Sequence, residues 1–136
     1  MIVVDAGPLY AYIDRTDEFH QQSVDLIRGY GSALLVPMLV IAKVAHFLLA
    51  RIGPQGGARF LSDLTSGRFS IEPVAPGDWL RVSELVIQYH DLPLGTVDAS
   101  VVTLAERYEV PTIATFDRRH FTVVRPVHVD AFDLVP

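Results

Sequence analysis

An α/β fold, a central parallel β-sheet flanked by helices on both faces, is what this sequence predicts. Three observations predict it. Short β-branched runs alternate with segments of helical apolar spacing, the order that builds strand–helix–strand units. The first run, Met1 to Val4, is apolar throughout, as a strand buried on both faces requires. The chain has 136 residues, 50% of them apolar, and a mean hydropathy of +0.31. That length fits one domain spanning 1–136, with apolar surface enough for a core.

Element by element, Met1 to Val4 reads as a strand closed by Asp5, with Ala6-Gly7-Pro8 as a turn. Asp17 to Tyr30 has apolar residues at helical spacing, and Thr16 or Asp17 stands where a cap belongs. Ala33 to Val36 is a second strand. Pro37 opens a helix to about Ile52, since its missing N–H has no partner in a first turn anyway. Gly53-Pro54 breaks that helix, and another runs to about Ser66 with Gly67 as its stop. Phe69 to Val74 is a third strand, Pro76 to Tyr89 an amphipathic helix, and Asp91 to Gly95 a turn-rich loop. Val97 to Tyr108 is a helix, Thr112 to Phe116 a strand, and Val127 to Leu134 one or two terminal strands. The apolar residues of the 37–52 helix, and Trp79, are expected in the core or a dimer interface.

Composition removes several classes. Without Cys there are no disulfides, thiolate zinc sites or Cys nucleophiles. A net charge of −5 argues against a histone-like protein held on nucleic acid by global charge, while leaving room for basic residues around an acidic pocket. The N-terminus has no basic residue before its apolar run and carries Asp5 within it, unlike a signal peptide. Leu34 to Ala50 is the most apolar stretch, but Pro37, Lys43 and His46 interrupt it, which predicts a core helix instead of a membrane span. A soluble, cytoplasmic protein is expected. The five His, at 20, 46, 90, 120 and 128, show no i, i+4 pair for zinc. No phosphate-binding Gly loop or nucleophile elbow is present.

In open parallel sheets, sites gather at the carboxyl ends of the strands. Asp5 and Asp117 each close a predicted strand, and Asp98 opens a helix after a loop. Brought together, three carboxylates repel one another and call for a cation; oxygen donors without Cys or clustered His select Mg²⁺ or Mn²⁺. Each could instead be structural: Asp98 a helix cap, Asp5 and Asp117 turn residues. Arg118, Arg119 and His120 follow Asp117 and either hold phosphates or form a solvated turn; Arg15 carries the same two readings.

Three segments resemble a known family. Val3-Val4-Asp5-Ala6-Gly7-Pro8-Leu9 resembles the opening of PIN-domain ribonucleases, and Leu94-Gly95-Thr96-Val97-Asp98-Ala99-Ser100 resembles their third acidic motif. Ile113 to Phe121, with Thr115-Phe116-Asp117-Arg118-Arg119-His120 inside it, resembles the last motif in the form found among VapC toxins. The similarity runs over essentially the whole chain. It implies a PIN-like fold, a homodimer, a VapB-like antitoxin whose C-terminal segment enters the acidic groove, and Mg²⁺- or Mn²⁺-dependent endonucleolytic cleavage of RNA. It further implies that Asp5, Asp98 and Asp117 bind metal and that Thr96 and Thr115 orient the carboxylates or metal-bound water; Arg118, Arg119 and Arg15 stand as the candidate RNA-binding residues.

One family position departs. The second acidic residue, normally Glu in the helix after the second strand, corresponds here to Lys43, the only lysine beside ten arginines. Reversing a unit charge about 5 Å from a divalent cation changes the Coulomb energy by roughly 3 kcal/mol even at water-like screening. That is about two orders of magnitude in metal affinity, less what a flexible lysine recovers by swinging away. The resemblance therefore implies an impaired nuclease, and the near-absence of lysine marks Lys43 as a substitution, engineered or selected. The alternative register leaves Lys43 extending from a helix face with no role. The competing functional readings are a degenerate module that binds antitoxin or RNA without cutting, and a metal-dependent DNase or flap-type nuclease.

Overall fold

The computed structural model describes all 136 residues. The chain runs β1 (Ile2–Val4), α1 (Ala6–Ile13), α2 (His20–Tyr30), β2 (Leu34–Pro37), α3 (Met38–Arg51) and α4 (Pro54–Asp63). It continues through β3 (Ser70–Glu72), α5 (Asp78–Gln88), α6 (Thr96–Arg107), β4 (Thr112–Ala114), α7 (Arg118–Val123) and β5 (Asp133–Val135). The strands form one sheet in the order β3-β2-β1-β4-β5, and every pairing is parallel. Successive side chains of a strand point to opposite faces, so the full burial of Ile2, Val3 and Val4 means that β1 is covered on both sides. The expected α/β architecture is present.

This order fixes where a site can form. From β1 the chain moves to β2 and β3 on one side, and later to β4 and β5 on the other. The sheet order thus reverses between β1 and β4, and their carboxyl ends splay apart there. Asp5 leaves the end of β1, while Thr115, Phe116 and Asp117 leave the end of β4. The Asp5 backbone N–H still donates to Ala114 O, at 2.9 Å, so the two ends are tied just before they diverge.

Several sequence expectations need correction. Ala6-Gly7-Pro8 is no turn: Asp5 is the extended N-cap of α1, and Pro8 falls in the first turn, where N–H groups lack helical partners. Gly7 allows a close approach, because a Cβ there would stand 3.0 Å from Phe116 Cδ2. Helix α2 is capped by Phe19 and begins at His20, with Asp17 instead accepting the Phe19 N–H at 2.9 Å. Arg118 to Val123 is a helix, capped by Asp117, in place of a solvated turn. The C-terminal region holds one strand, the smaller of the two expected numbers, and Trp79 is 50% exposed on α5, which removes its core alternative and leaves the interface one.

Helix α3 shows how one element serves both core and site. Val40, Val44 and Leu48 are buried, while Lys43, Phe47 and Arg51, four residues apart, share a different face. No helix is long and apolar enough to cross a membrane.

Leu48→Ala removes a fully buried side chain and is expected to lower unfolding free energy by about 2–5 kcal/mol. Leu80→Ala, at a site 69% exposed, is expected to change it by less than about 0.5 kcal/mol. Urea denaturation of both variants checks this assignment of core and surface.

Candidate active site

At the end of β1, Asp5 is 5% exposed, and its carboxylate has one partner in the protein. The Thr115 hydroxyl donates to Asp5 Oδ2 at 2.9 Å, and the same Thr115 oxygen accepts the Asp117 backbone N–H at 2.9 Å. One hydroxyl therefore fixes the Asp5 side chain and the backbone turn after β4. Asp5 Oδ1 is buried without any hydrogen-bond partner. Burial pushes the Asp5 carboxyl above its ordinary range; the Ala6 amide and Thr115 hydroxyl pull it down, Asp98 raises it again, and Lys43 lowers it.

Asp5, Asp98, Lys43 and Asp117 line one groove of about 430 Å³, together with Gly7, Tyr10, Phe19, Phe47, Arg51 and Phe116. The structure thus brings residues separated by up to 112 positions to one face of the molecule. Asp98 sits in the first turn of α6, where its Oδ2 accepts the Gly95 N–H at 3.2 Å. It serves as a helix cap and lines the groove at once. Asp117 is engaged more heavily: His120 donates to it from both its backbone N–H, at 3.2 Å, and its ring Nδ1. The ring's other nitrogen, Nε2, is buried without a partner.

The remaining expected residues divide. Thr115 is buried and bonded as described. Thr96 is exposed at the start of α6 and makes no hydrogen bond to a carboxylate. Arg118 donates to Pro136 O at 2.6 Å, Arg119 and Arg15 are exposed, and none of the three lines the groove. The guanidinium that does line the groove is Arg51, packed over the rings of Tyr10 at 5.0 Å and Phe47 at 4.9 Å. Sequence reading missed it; its i, i+4, i+8 spacing with Phe47 and Lys43 was the available signal.

For a cation, the donors are carboxylate oxygens alone, suited to hard ions and not to zinc. The unpartnered, buried Asp5 oxygen beside Asp98 fits such an ion. Against that, no three acidic or histidine side chains converge into a ready cage, and Lys43 contributes a positive charge to the same groove. In donor type the groove suits a hard divalent cation, without a preformed cage for it.

Residues 2–125 match the family model of the PIN domain. The chain is 30% identical over 135 residues to Ribonuclease VapC26 of Mycobacterium tuberculosis (strain ATCC 25618 / H37Rv), covering 99% of this chain and 100% of that protein. Its fold is similar to that of the sarcin–ricin loop cleaving toxin VapC20 of M. tuberculosis, with TM-score 0.84, 18% identity, and coverage of 96% of this chain and 99% of that one. VapBC2 from Rickettsia felis, bound to a DNA fragment from its promoter, matches with TM-score 0.70 and 14% identity over 100% of both chains. FitAcB from Neisseria gonorrhoeae matches with TM-score 0.60 and 14% identity over 87% and 88%.

The raised Asp5 pKa has a signed consequence for stability. The folded state holds that proton more tightly than the unfolded chain, so stability falls as pH rises from near the ordinary 3.8 through the raised value. In metal-free buffer, Asp5→Asn is expected to raise the melting temperature at pH 7, and this gain is expected to shrink towards pH 4. Thermal melts across that range check it. A variant equal to the parent at every pH contradicts the burial of an unneutralised carboxylate.

Proposed function

The chain belongs to the PIN-domain family, and from that membership we propose that it is the toxin ribonuclease of a VapBC-type toxin–antitoxin pair, acting on RNA and restrained by a VapB-like antitoxin. The observation that carries this reading is the shared groove of Asp5 and Asp98 at the switch point of the sheet, with one Asp5 oxygen buried and unpartnered. We assign the chain, over 1–136, to a single PIN domain that works in the cytoplasm as a homodimer. Exposed Leu49 and Ile52 at the end of α3 and its C-cap, with Leu61 on the adjacent α4, support self-association.

In this reading Asp5 and Asp98 hold Mg²⁺ or Mn²⁺, and Asp117 completes the acidic rim. Such an ion, when bound, neutralises charge on the phosphodiester and lowers the pKa of water. Thr115 keeps Asp5 in place, so that little motion is needed when an ion or substrate enters. Arg51 is the phosphate-holding residue: its aromatic neighbours fix the planar guanidinium, which then offers paired donors to phosphate oxygens. This assignment replaces the one expected for Arg118, Arg119 and Arg15. Lys43 acts against the ion by adding positive charge beside Asp5 and Asp98, and an impaired nuclease follows.

A second reading has its own observation. Lys43 within the groove, and the absence of a three-acid cage, suit a module that binds RNA or antitoxin without cutting. Cleavage assays with Mn²⁺ separate the two. Lys43→Glu is expected to cut RNA much faster than the parent, and adding Asp98→Asn is expected to abolish that gain. A folded Lys43→Glu protein without nuclease activity would favour the binding module.

Arg51→Ala is expected to weaken RNA binding and to lower the slope of log affinity against log salt by about 0.7, the value for one contact to a single-stranded phosphate. Binding titrations at several salt concentrations check this, with Arg119→Ala expected to change the slope little.

A further inference from the structure

We propose that Phe19, backed by Phe116, is a stacking shelf for one unpaired nucleobase of the RNA, set beside the acidic groove. This rests on the RNA-acting reading above and adds how the substrate is gripped. Both rings line the groove that holds Asp5 and Asp98. They stack on one another with centroids 4.7 Å apart and planes 29° from parallel.

The shelf is built from beneath. Phe116 follows Thr115 directly, and it is pressed against Gly7 so closely that a Cβ at position 7 would meet its ring edge at 3.0 Å. Phe19 rests on Phe116 and remains 41% exposed. Its own N–H and the side chain that follows it are both tied down. Asp17 Oδ1 accepts the Phe19 N–H at 2.9 Å, and His20 Nδ1 lies 2.8 Å from Ala11 O. Just before it, Asp14 Oδ1 accepts from the Thr16 backbone N–H at 3.0 Å and the Thr16 hydroxyl at 2.7 Å. The ring is thus held in place before any ligand arrives, which limits the ordering cost of binding.

Chemistry selects the occupant. A groove lined by four aspartates repels the backbone of RNA, and two cations, Lys43 and Arg51, answer that only in part. A π-face supplies attraction that is independent of charge and tolerant of base identity. It also requires a base free of its helix, so the segment taken by the groove is single-stranded or looped.

The test measures binding of a short single-stranded oligoribonucleotide in metal-free buffer, so that cutting does not intervene. Phe19→Ala and Phe19→Leu are each expected to weaken binding about 5- to 100-fold, while Phe19→Tyr and Phe19→Trp retain it. In a Trp79→Phe background, the fluorescence of Phe19→Trp is expected to fall as RNA is added. An abasic nucleotide, moved position by position along the RNA, is expected to weaken binding to the unmodified chain at one position. At that position it should also erase the difference between the unmodified chain and Phe19→Leu. That arm needs no variant to fold. Phe19→Leu binding as tightly as the unmodified chain, or an abasic series without effect, overturns the shelf and leaves the RNA reading standing. No RNA binding by the unmodified chain overturns both.

Discussion

The rest of the site depends on one buried carboxylate. Asp5 leaves the central strand of an all-parallel sheet where the strand order reverses, and its burial raises the cost of its charge. One oxygen is satisfied by Thr115 from the neighbouring strand end, and the other has no partner in the protein. A group in that state favours whatever neutralises it, whether a proton, an ammonium or a metal ion. Asp98, brought alongside by α6, sharpens the demand by repulsion. Placing such a pair where strand ends splay apart concentrates binding capacity at a point the fold cannot close over.

Around that point the groove sets opposing charges against each other. Lys43 and Arg51 come from one face of α3 but differ in kind. Arg51 is held between two aromatic rings and keeps its charge at a fixed place; Lys43 forms no ion pair with its acidic neighbours. An ammonium without an ion pair in the groove supplies part of the neutralisation of Asp5 that a divalent cation would otherwise provide. The fold is untouched by this exchange, because the core side of α3 is made by Val40, Val44 and Leu48. Position 43 therefore acts on the charge of the groove without entering the core.

Much of this was legible in the sequence, for reasons that can be named. Asp5 and Asp117 follow β-branched runs, and strand ends are where parallel sheets expose side chains. Asp98 was readable both as a cap and as a groove residue, and it is both. What failed were local rules overridden by context. Ala6-Gly7-Pro8 has turn composition, yet Pro8 in a first helical turn costs no hydrogen bond. Arg118 and Arg119 adjoin Asp117 in sequence, but neither lines the groove that Asp117 lines, and adjacency along a helix is not adjacency in space. Arg51 shares its helical spacing with Lys43 and Phe47, but that this face of α3, and Phe19 at the N-cap of α2, meet the groove is decided by packing.

The central claim is that Asp5 and Asp98 form a cation site whose affinity Lys43 suppresses by charge. Calorimetric titration of Mn²⁺ into the unmodified chain and into Lys43→Glu measures that directly. Affinity is expected to rise by about two orders of magnitude in the variant, and to be lost again when Asp5→Asn is added. Equal affinity in both proteins, or a gain that survives Asp5→Asn, would contradict it.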